Sequence, residues 1–421
     1  MAEPYNTPVP GSTPRSGSPL PHPRHPVSLT PASGRALSPS TVTTGRSLSP
    51  SDTATAGASP PHDTRRRVLH LGDPVCINVA THHQLISQYN VIRPSTPERE
   101  RKAFAQNLRD GTWGDFEAIM RPYWPTGGEM GDWDETLISL LPPTVKVFAS
   151  AGTGYDWVDV EALSEKGILF CNGGTYASDA VADMTVAMII STFRDLPLCI
   201  NSALSNSPSQ FTACHLGQFM RGFNLRFKPL GIIGLGSIGL GVATRCSLGF
   251  QMDIHYYDVQ RKPAEVELGV SAIFHDSLES LLSAVDCVVL CIPSFFGGDT
   301  IIHESTLAHF RPGARFVNVA RGALINEDDL VKAVETGQLS SVALDVFDTE
   351  PHIHPGLRKL AADGRALLTC HNAGGTAETT AGCEGLSMRN VLAVLAGAEP
   401  LSAVNRGAGS TCWTGATVDC E

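Results

Sequence analysis

Leu230-Gly231-Ile232-Ile233-Gly234-Leu235-Gly236-Ser237-Ile238-Gly239 is the stretch from which the fold is read. A β-branched apolar run enters the glycines, which fall at G-x-G-x-x-G spacing, and a helix-compatible segment, 242–248, leaves them. The pattern predicts strand, tight turn, helix. Gly234 makes the turn, Gly236 lets a pyrophosphate approach the backbone, and Gly239 lets helix and strand pack closely. The phosphates then meet a helix N-terminus, where free N–H groups and the helix dipole favour negative charge. A second strand-like run, 252–257, ends at Asp258, 19 residues beyond Gly239. An acid there accepts the ribose hydroxyls of NAD and repels the extra phosphate of NADP, so NAD (NADH) is the expected cofactor and NADP the disfavoured one.

Outward from this turn, strands and helices alternate. Towards the C-terminus the pattern predicts a helix at Leu278–Ala284 and strands at 287–292, 315–320, 342–347 and 366–369. A helix at 327–336 is capped by Asn326 and stopped by Gly337, and a last helix spans 384–395. Towards the N-terminus, strands are read at 67–73, 145–150 and 168–171, with a helix around 160–166. A long helix at 180–193, apolar nearly all round, suits a place between domains. Repeated β–α–β units with near-continuous apolar strands predict parallel sheets covered on both faces, an α/β protein.

Composition narrows the function. The chain has 421 residues, enough for two or three domains, and 42% are hydrophobic. No run approaches the roughly 18 apolar residues of a membrane span, so no membrane partner is expected. Residues 1–67 are rich in Pro, Ser and Thr, with seven Arg and three acids, and are read as a disordered leader. Thr7, Thr13, Ser18, Thr30, Ser38, Ser49 and Ser59 each precede a proline there, as a solvated leader or as sites for proline-directed phosphorylation. The remainder holds 24 basic and 39 acidic residues, which argues against nucleic acid as a partner. Eleven cysteines without a C-x-x-C or zinc spacing suggest free thiols in a reducing compartment and no metal. The cytoplasm is the expected location, with the nucleus second.

Ligands of an open α/β sheet bind beyond the carboxyl ends of its strands. Three such ends carry chemistry. One leads to Arg321-Gly322, one to Asp348-Thr349-Glu350-Pro351 with Asp345 inside the strand, and one to His371-Asn372. A guanidinium can hold a carboxylate and polarise its neighbouring carbonyl. An imidazole can give or take a hydroxyl proton, and a glutamate on its other nitrogen favours the protonated form. Arg321, Glu350 and His371 are therefore the candidate catalytic set.

Beyond the glycine turn, five stretches are distinctive: VKVFASAGTGYDWVDVEAL (145–163), FVNVARGALINEDDL (316–330), SSVALDVFDTEP (340–351), LLTCHNAGGT (367–376) and PLSAVN (400–405). With these, the chain resembles the D-isomer-specific 2-hydroxyacid dehydrogenase family over about residues 68–405. LGDP, GDFEAI, GYDWVD and NLRFKPLGIIG are most similar to the fungal branch containing D-mandelate dehydrogenase. The resemblance implies two Rossmann-like domains. The substrate domain would comprise 68–175 and 372–405, the NAD-binding domain 176–371, and 406–421 a flexible tail. It implies that Arg321 binds the substrate carboxylate and carbonyl with the N–H groups of Thr153 and Gly154, that His371 is the acid/base, and that Glu350 is its partner. It places Ser178, Ala320 and Asp345 towards the nicotinamide, Ser237 and Ile238 at the pyrophosphate, and Ile292-Pro293 under the adenosine, with Ala373 and Gly374 as further cofactor contacts. Ser237 stands where the family commonly has Arg, Cys370 replaces Pro, and Asn372-Ala373 replace Ile-Gly. The implied reaction interconverts a 2-oxo acid and a D-2-hydroxy acid, by a homodimer joined near 180–193. Tyr123, Trp124, Trp133, Tyr155 and Trp157 are read either as lining a pocket for a bulky 2-oxo acid or as core packing. The alternative class is a corepressor-like scaffold of the same fold, which binds NAD(H) and recruits proteins.

Overall fold

A computed structural model describes residues 63–293 and 299–406. The seven Ser-Pro and Thr-Pro sites lie outside the described residues. Among the described residues, twelve strands form two parallel sheets. The first contains β1 (Arg67–His70), β2 (Asn90–Ile92), β3 (Phe116–Arg121), β4 (Val147–Ser150) and β5 (Leu169–Cys171), in the order β2-β1-β3-β4-β5. The second contains β6 (Pro229–Ile233), β7 (Asp253–Tyr257), β8 (Ile273–Phe274), β9 (Cys287–Leu290), β10 (Ala314–Asn318), β11 (Leu339–Leu344) and β12 (Ala366–Leu368). Its order is β12-β11-β10-β9-β6-β7-β8. This is the doubly wound arrangement expected of near-continuous apolar strands, and every residue of β9 and β10 is buried.

The order reverses between β6 and β9 in one sheet and between β1 and β3 in the other. Such switch points open crevices beyond the strand ends. Gly234-Leu235-Gly236 follows β6 and Ile292-Pro293 follows β9, while Arg121 closes β3. The helix Ala377–Leu395 returns from the second sheet to pack on β3 and β4 of the first. The helix Ser178–Phe193 packs on β10, β11 and the helix Ser237–Thr244, and nine of its residues are buried.

Several boundaries differ from the sequence reading. The first strand opens at Arg67 as read, but it ends at His70, and Arg66, inside the segment read as leader, pairs with Glu117 at 2.6 Å. The helix after the glycine turn starts at Ser237, ends at Thr244 and passes into a π-turn over Arg245–Gly249. The last helix begins seven residues before 384, at Ala377, because Thr376 caps it by accepting from the Thr379 N–H. Asp345 lies just past β11 rather than inside a strand. Several helices are absent from the sequence reading, among them Leu196–Leu204 and Pro208–Arg221. The apolar side chains of these two face outwards, with Leu204 and Phe219 exposed.

Candidate active site

The glycine turn supplies one wall. Gly234 has φ +91°, a conformation costly for any side chain, and a Cβ there would lie 2.5 Å from Ile292 Cγ2. A Cβ on Gly239 would meet the Gly234 carbonyl, whereas one on Gly236 would enter open space at the start of the helix Ser237–Thr244. Ser178 Oγ donates to Ser237 Oγ at 3.0 Å, so the first residues of two helices meet beside that space. Two helix N-termini, two hydroxyls and a bare Gly236 suit a pyrophosphate. Asp258 Oδ2 accepts from the Leu235 N–H and from Lys262 Nζ, both at 2.9 Å. Lys262 was not a candidate from sequence, although its i,i+4 spacing from Asp258 was visible.

The second wall combines both sheets. After β10, buried Asn318 accepts from the Ala320 N–H and donates to the Arg321 carbonyl, both at 2.9 Å. A Cβ on Gly322 would strike the Phe347 backbone, so this turn packs tightly on the strand that leads to Glu350. Arg321 Nε donates to Asp156 Oδ1 at 2.8 Å, and Nη1 to the Ala320 carbonyl at 2.7 Å. A Cβ on Gly154 would collide with Arg321 Nη2. Nη2 itself, like the N–H groups of Thr153 and Gly154, has no acceptor among the described residues, and Thr153 Oγ1 is buried without a partner. Unused donors from the two sheets thus meet at one point.

His371 Nδ1 lies 2.8 Å from Glu350 Oε2, while Glu350 Oε1 accepts from the Phe347 N–H at 2.9 Å. Burial works to raise the Glu350 pKa. The hydrogen bonds from His371 and the Phe347 N–H, with the charges of His371 and Arg321, outweigh it and hold the carboxyl below its usual value. The peptide bond Glu350-Pro351 is cis. His371 has φ +51°, and its N–H donates to the Asp345 carbonyl at 2.7 Å.

Asp345 is 1% exposed. Its carboxylate accepts from Thr369 Oγ1 at 2.5 Å and from the N–H groups of Asn372 at 3.0 Å and Ala373 at 2.8 Å. Those bonds hold the His371 loop. Sequence reasoning named Asp345 without finding this role, and it missed Asp156, Asn318 and Thr369. An acid at a strand end, facing a histidine loop, was the available signal. Of the aromatic residues, Trp133 is 1% exposed and packs against Phe104 and Phe148 as core. Trp157 and Tyr155 pack on Phe170. Trp124 is placed beside the site: its ring lies 6.3 Å from that of His371. A cavity of about 810 Å³ is lined by Glu327, Asp348, Pro351, His352, His354 and Arg358, and includes none of the three candidate catalytic residues.

A doubly wound sheet with a glycine turn at its switch point, facing a histidine–glutamate pair and an arginine, defines a nicotinamide-nucleotide oxidoreductase. Comparison with known proteins makes this specific. Residues 186–373 match the D-isomer specific 2-hydroxyacid dehydrogenase, NAD binding domain family. Glyoxylate reductase of Pyrococcus horikoshii is 33% identical over 264 residues, 63% of this chain and 77% of that one. 4-Methyl-2-oxopentanoate reductase A of Aspergillus oryzae is 31% identical over 297 residues, covering 70% and 85%. The crystal structure of the holo forms of Rhodotorula graminis D-mandelate dehydrogenase superposes with a TM-score of 0.77 at 34% identity, over 81% of this chain and 98% of that one. The chain belongs to the D-isomer specific 2-hydroxyacid dehydrogenase family and is an enzyme of that class.

Proposed function

We propose that this enzyme interconverts 2-oxo acids and D-2-hydroxy acids with NAD(H), using Arg321, Glu350 and His371. The observation that carries the reading is the meeting of unused donors, Arg321 Nη2 with the Thr153 and Gly154 N–H groups, beside the His371–Glu350 pair. A substrate carboxylate satisfies those donors, and Asp156 keeps the guanidinium aimed at it. The reduced nicotinamide, when bound, supplies the hydride. His371 Nε2 gives its proton to the carbonyl oxygen while Nδ1 stays bonded to Glu350. Acid/base assistance of this kind contributes ~10²–10⁴-fold. In the reverse direction neutral His371 takes the hydroxyl proton.

For the cofactor, the proposed contacts are Gly234, Gly236, Ser237, Ile238 and Gly239 at the pyrophosphate, with Ser178 beside them and Asp258 at the ribose. Ile292-Pro293 would lie under the adenosine, and Ala320 and Asp345 on the nicotinamide side, with Ala373 and Gly374 as further cofactor contacts. The proposed division gives 176–371 to the cofactor and 68–175 with 372–405 to the substrate. Packing of Ala377–Leu395 on the first sheet supports it. A homodimer is supported by the outward apolar residues of the helices Leu196–Leu204 and Pro208–Arg221, among them Ile200, Leu204, Phe211, Leu216, Phe219 and Met220. The cytoplasm is the proposed location, supported by nine described cysteines that are all free.

The test is oxidation of NADH and NADPH with glyoxylate, hydroxypyruvate, 4-methyl-2-oxopentanoate and phenylglyoxylate, by the parent and by His371→Ala. The parent oxidises NADH with at least one of these acids. His371→Ala keeps dinucleotide affinity and loses ~10²–10⁴-fold in kcat. Equal turnover by the variant would remove His371 from the chemistry, and dinucleotide-dependent capture of proteins with no oxidation would favour the scaffold.

A further inference from the structure

We propose that Trp124 walls the subsite for the substrate's C3 substituent, that Arg121 positions it, and that the enzyme thereby selects 2-oxo acids bearing a large apolar group. This rests on the 2-oxo acid reading above. A bound 2-oxo acid has three groups on C2. The carboxylate takes the donors of Thr153, Gly154 and Arg321, and the oxygen takes His371, which leaves C3 to point elsewhere. Trp124 borders both anchors. Its ring centroid is 6.3 Å from that of His371 at an interplanar angle of 34°, and its Cβ is 3.6 Å from where a Cβ on Gly152 would lie. It is also 41% exposed, whereas Trp113 and Trp133 are buried. A large aromatic side chain left half in water beside a reaction centre is an unfilled contact surface.

The loop that carries it is rigidly anchored. Gly127 has φ +80°, and a Cβ there would sit 2.6 Å from the Leu71 carbonyl carbon. The Asp73 N–H donates to Thr126 Oγ1 at 3.0 Å. Arg121, the last residue of β3, donates from Nε to the Thr126 carbonyl at 2.8 Å and from Nη2 to the Trp124 carbonyl at 2.5 Å. Its guanidinium also lies 5.1 Å from the Trp157 ring centroid, and Trp157 Nε1 donates to the Gly154 carbonyl at 3.2 Å. One half-buried cation therefore ties the Trp124 loop to the carboxylate-binding loop. Burial draws the Arg121 pKa down to about 10, and among the described residues no carboxylate forms an ion pair with it. A half-buried guanidinium held by carbonyls and an indole face, with Glu129 acting on it only from beyond ion-pair distance, has the placing of Trp124 as its visible result. A flat indole wall suits an aryl or branched alkyl substituent. Glyoxylate has no C3 and leaves the wall unused.

The experiment measures kcat and KM with the same four acids at saturating cofactor for the parent, Trp124→Ala, Trp124→Phe, Arg121→Met, Arg121→Lys and the double variant Trp124→Ala/Arg121→Met. In the parent, kcat/KM for phenylglyoxylate exceeds that for glyoxylate. The ratio falls roughly tenfold or more in Trp124→Ala, as for other truncated aromatic anchors, and recovers in part in Trp124→Phe. Arg121→Met lowers the same ratio, mainly through KM for the large acids, and adds little to Trp124→Ala because both act through one wall. Arg121→Lys restores part of the ratio. Should the Met variant fail to fold, Arg121→Lys decides the matter alone: a ratio equal to the parent's would overturn the positioning role. A parent that reduces glyoxylate but has a ratio indifferent to Trp124→Ala refutes the wall and leaves the dehydrogenase reading intact. Failure to reduce any of the four acids refutes that reading instead.

Discussion

Asp345→Asn should cripple the enzyme by releasing the loop that carries His371. The carboxylate of Asp345 receives Thr369 Oγ1 and the N–H groups of Asn372 and Ala373. Oδ1 takes Thr369 and Asn372, and Oδ2 takes Ala373 alone. An asparagine must place its NH₂ at one of these positions, against at least one backbone N–H. Hydrogen bonds to a charged group contribute ~1.5–3 kcal/mol each, and a buried donor left unmatched costs about 1–3 kcal/mol. Those bonds also hold His371 at φ +51°, a left-handed conformation that costs roughly 1–2 kcal/mol for a residue with a side chain. Losing about 3 kcal/mol is enough to let the loop relax. Displacing the acid/base group by an ångström lowers turnover by ~10²-fold. The assay is kcat at saturating NADH with phenylglyoxylate, alongside thermal denaturation of the parent, Asp345→Asn and Thr369→Val. Thr369→Val keeps both backbone bonds and should lose far less. Parent-like kcat and Tm for Asp345→Asn would refute the assignment of the loop's placement to this carboxylate.

Three further expectations follow from the same geometry. In Glu350→Gln the carboxylate 2.8 Å from His371 Nδ1 becomes an amide, so kcat for 2-oxo acid reduction should fall while dinucleotide affinity is kept; an unchanged kcat would contradict the pairing. Asp258→Ser frees Lys262 from its 2.9 Å ion pair and removes the negative charge facing the ribose, so the NADPH-to-NADH ratio of kcat/KM should rise at least about tenfold; a constant ratio would contradict the role given to Asp258. His70 is 2% exposed, and burial, with His82 and Arg93 nearby, draws its pKa from 6.5 down to about 4. Above pH 6.5 it is neutral in both folded and unfolded chains. Between 6.5 and about 4 only the unfolded chain takes the proton, so acidification destabilises the fold, by up to roughly 3 kcal/mol. His70→Leu should flatten the fall in urea midpoint over that range, and an equally steep fall would contradict this.

Much of the fold was legible because its signals are local. The apolar strands of a doubly covered sheet read as continuous runs, and the glycine spacing fixed where β6 ends. The candidate triad was legible for the same reason, since each member closely follows a strand end. Contacts that cross between sheets were not. Arg321 and Asp156 are 165 residues apart, and nothing in either segment announces the other. The helices Leu196–Leu204 and Pro208–Arg221 were missed, and their apolar residues face outwards rather than into a core. Trp124 and Trp133 looked alike in sequence, and only packing separates the half-exposed one beside His371 from the buried one.

The most direct measurement is reduction of phenylglyoxylate with NADH carrying deuterium at C4 on the transferred face, followed by chiral analysis of the product. The expected product is the D-2-hydroxy acid with deuterium on C2, formed by the parent and lost in His371→Ala. A racemic or L product, or a product without label at C2, would contradict hydride transfer in a cleft that holds the carboxylate at Arg321 and the carbonyl oxygen at His371.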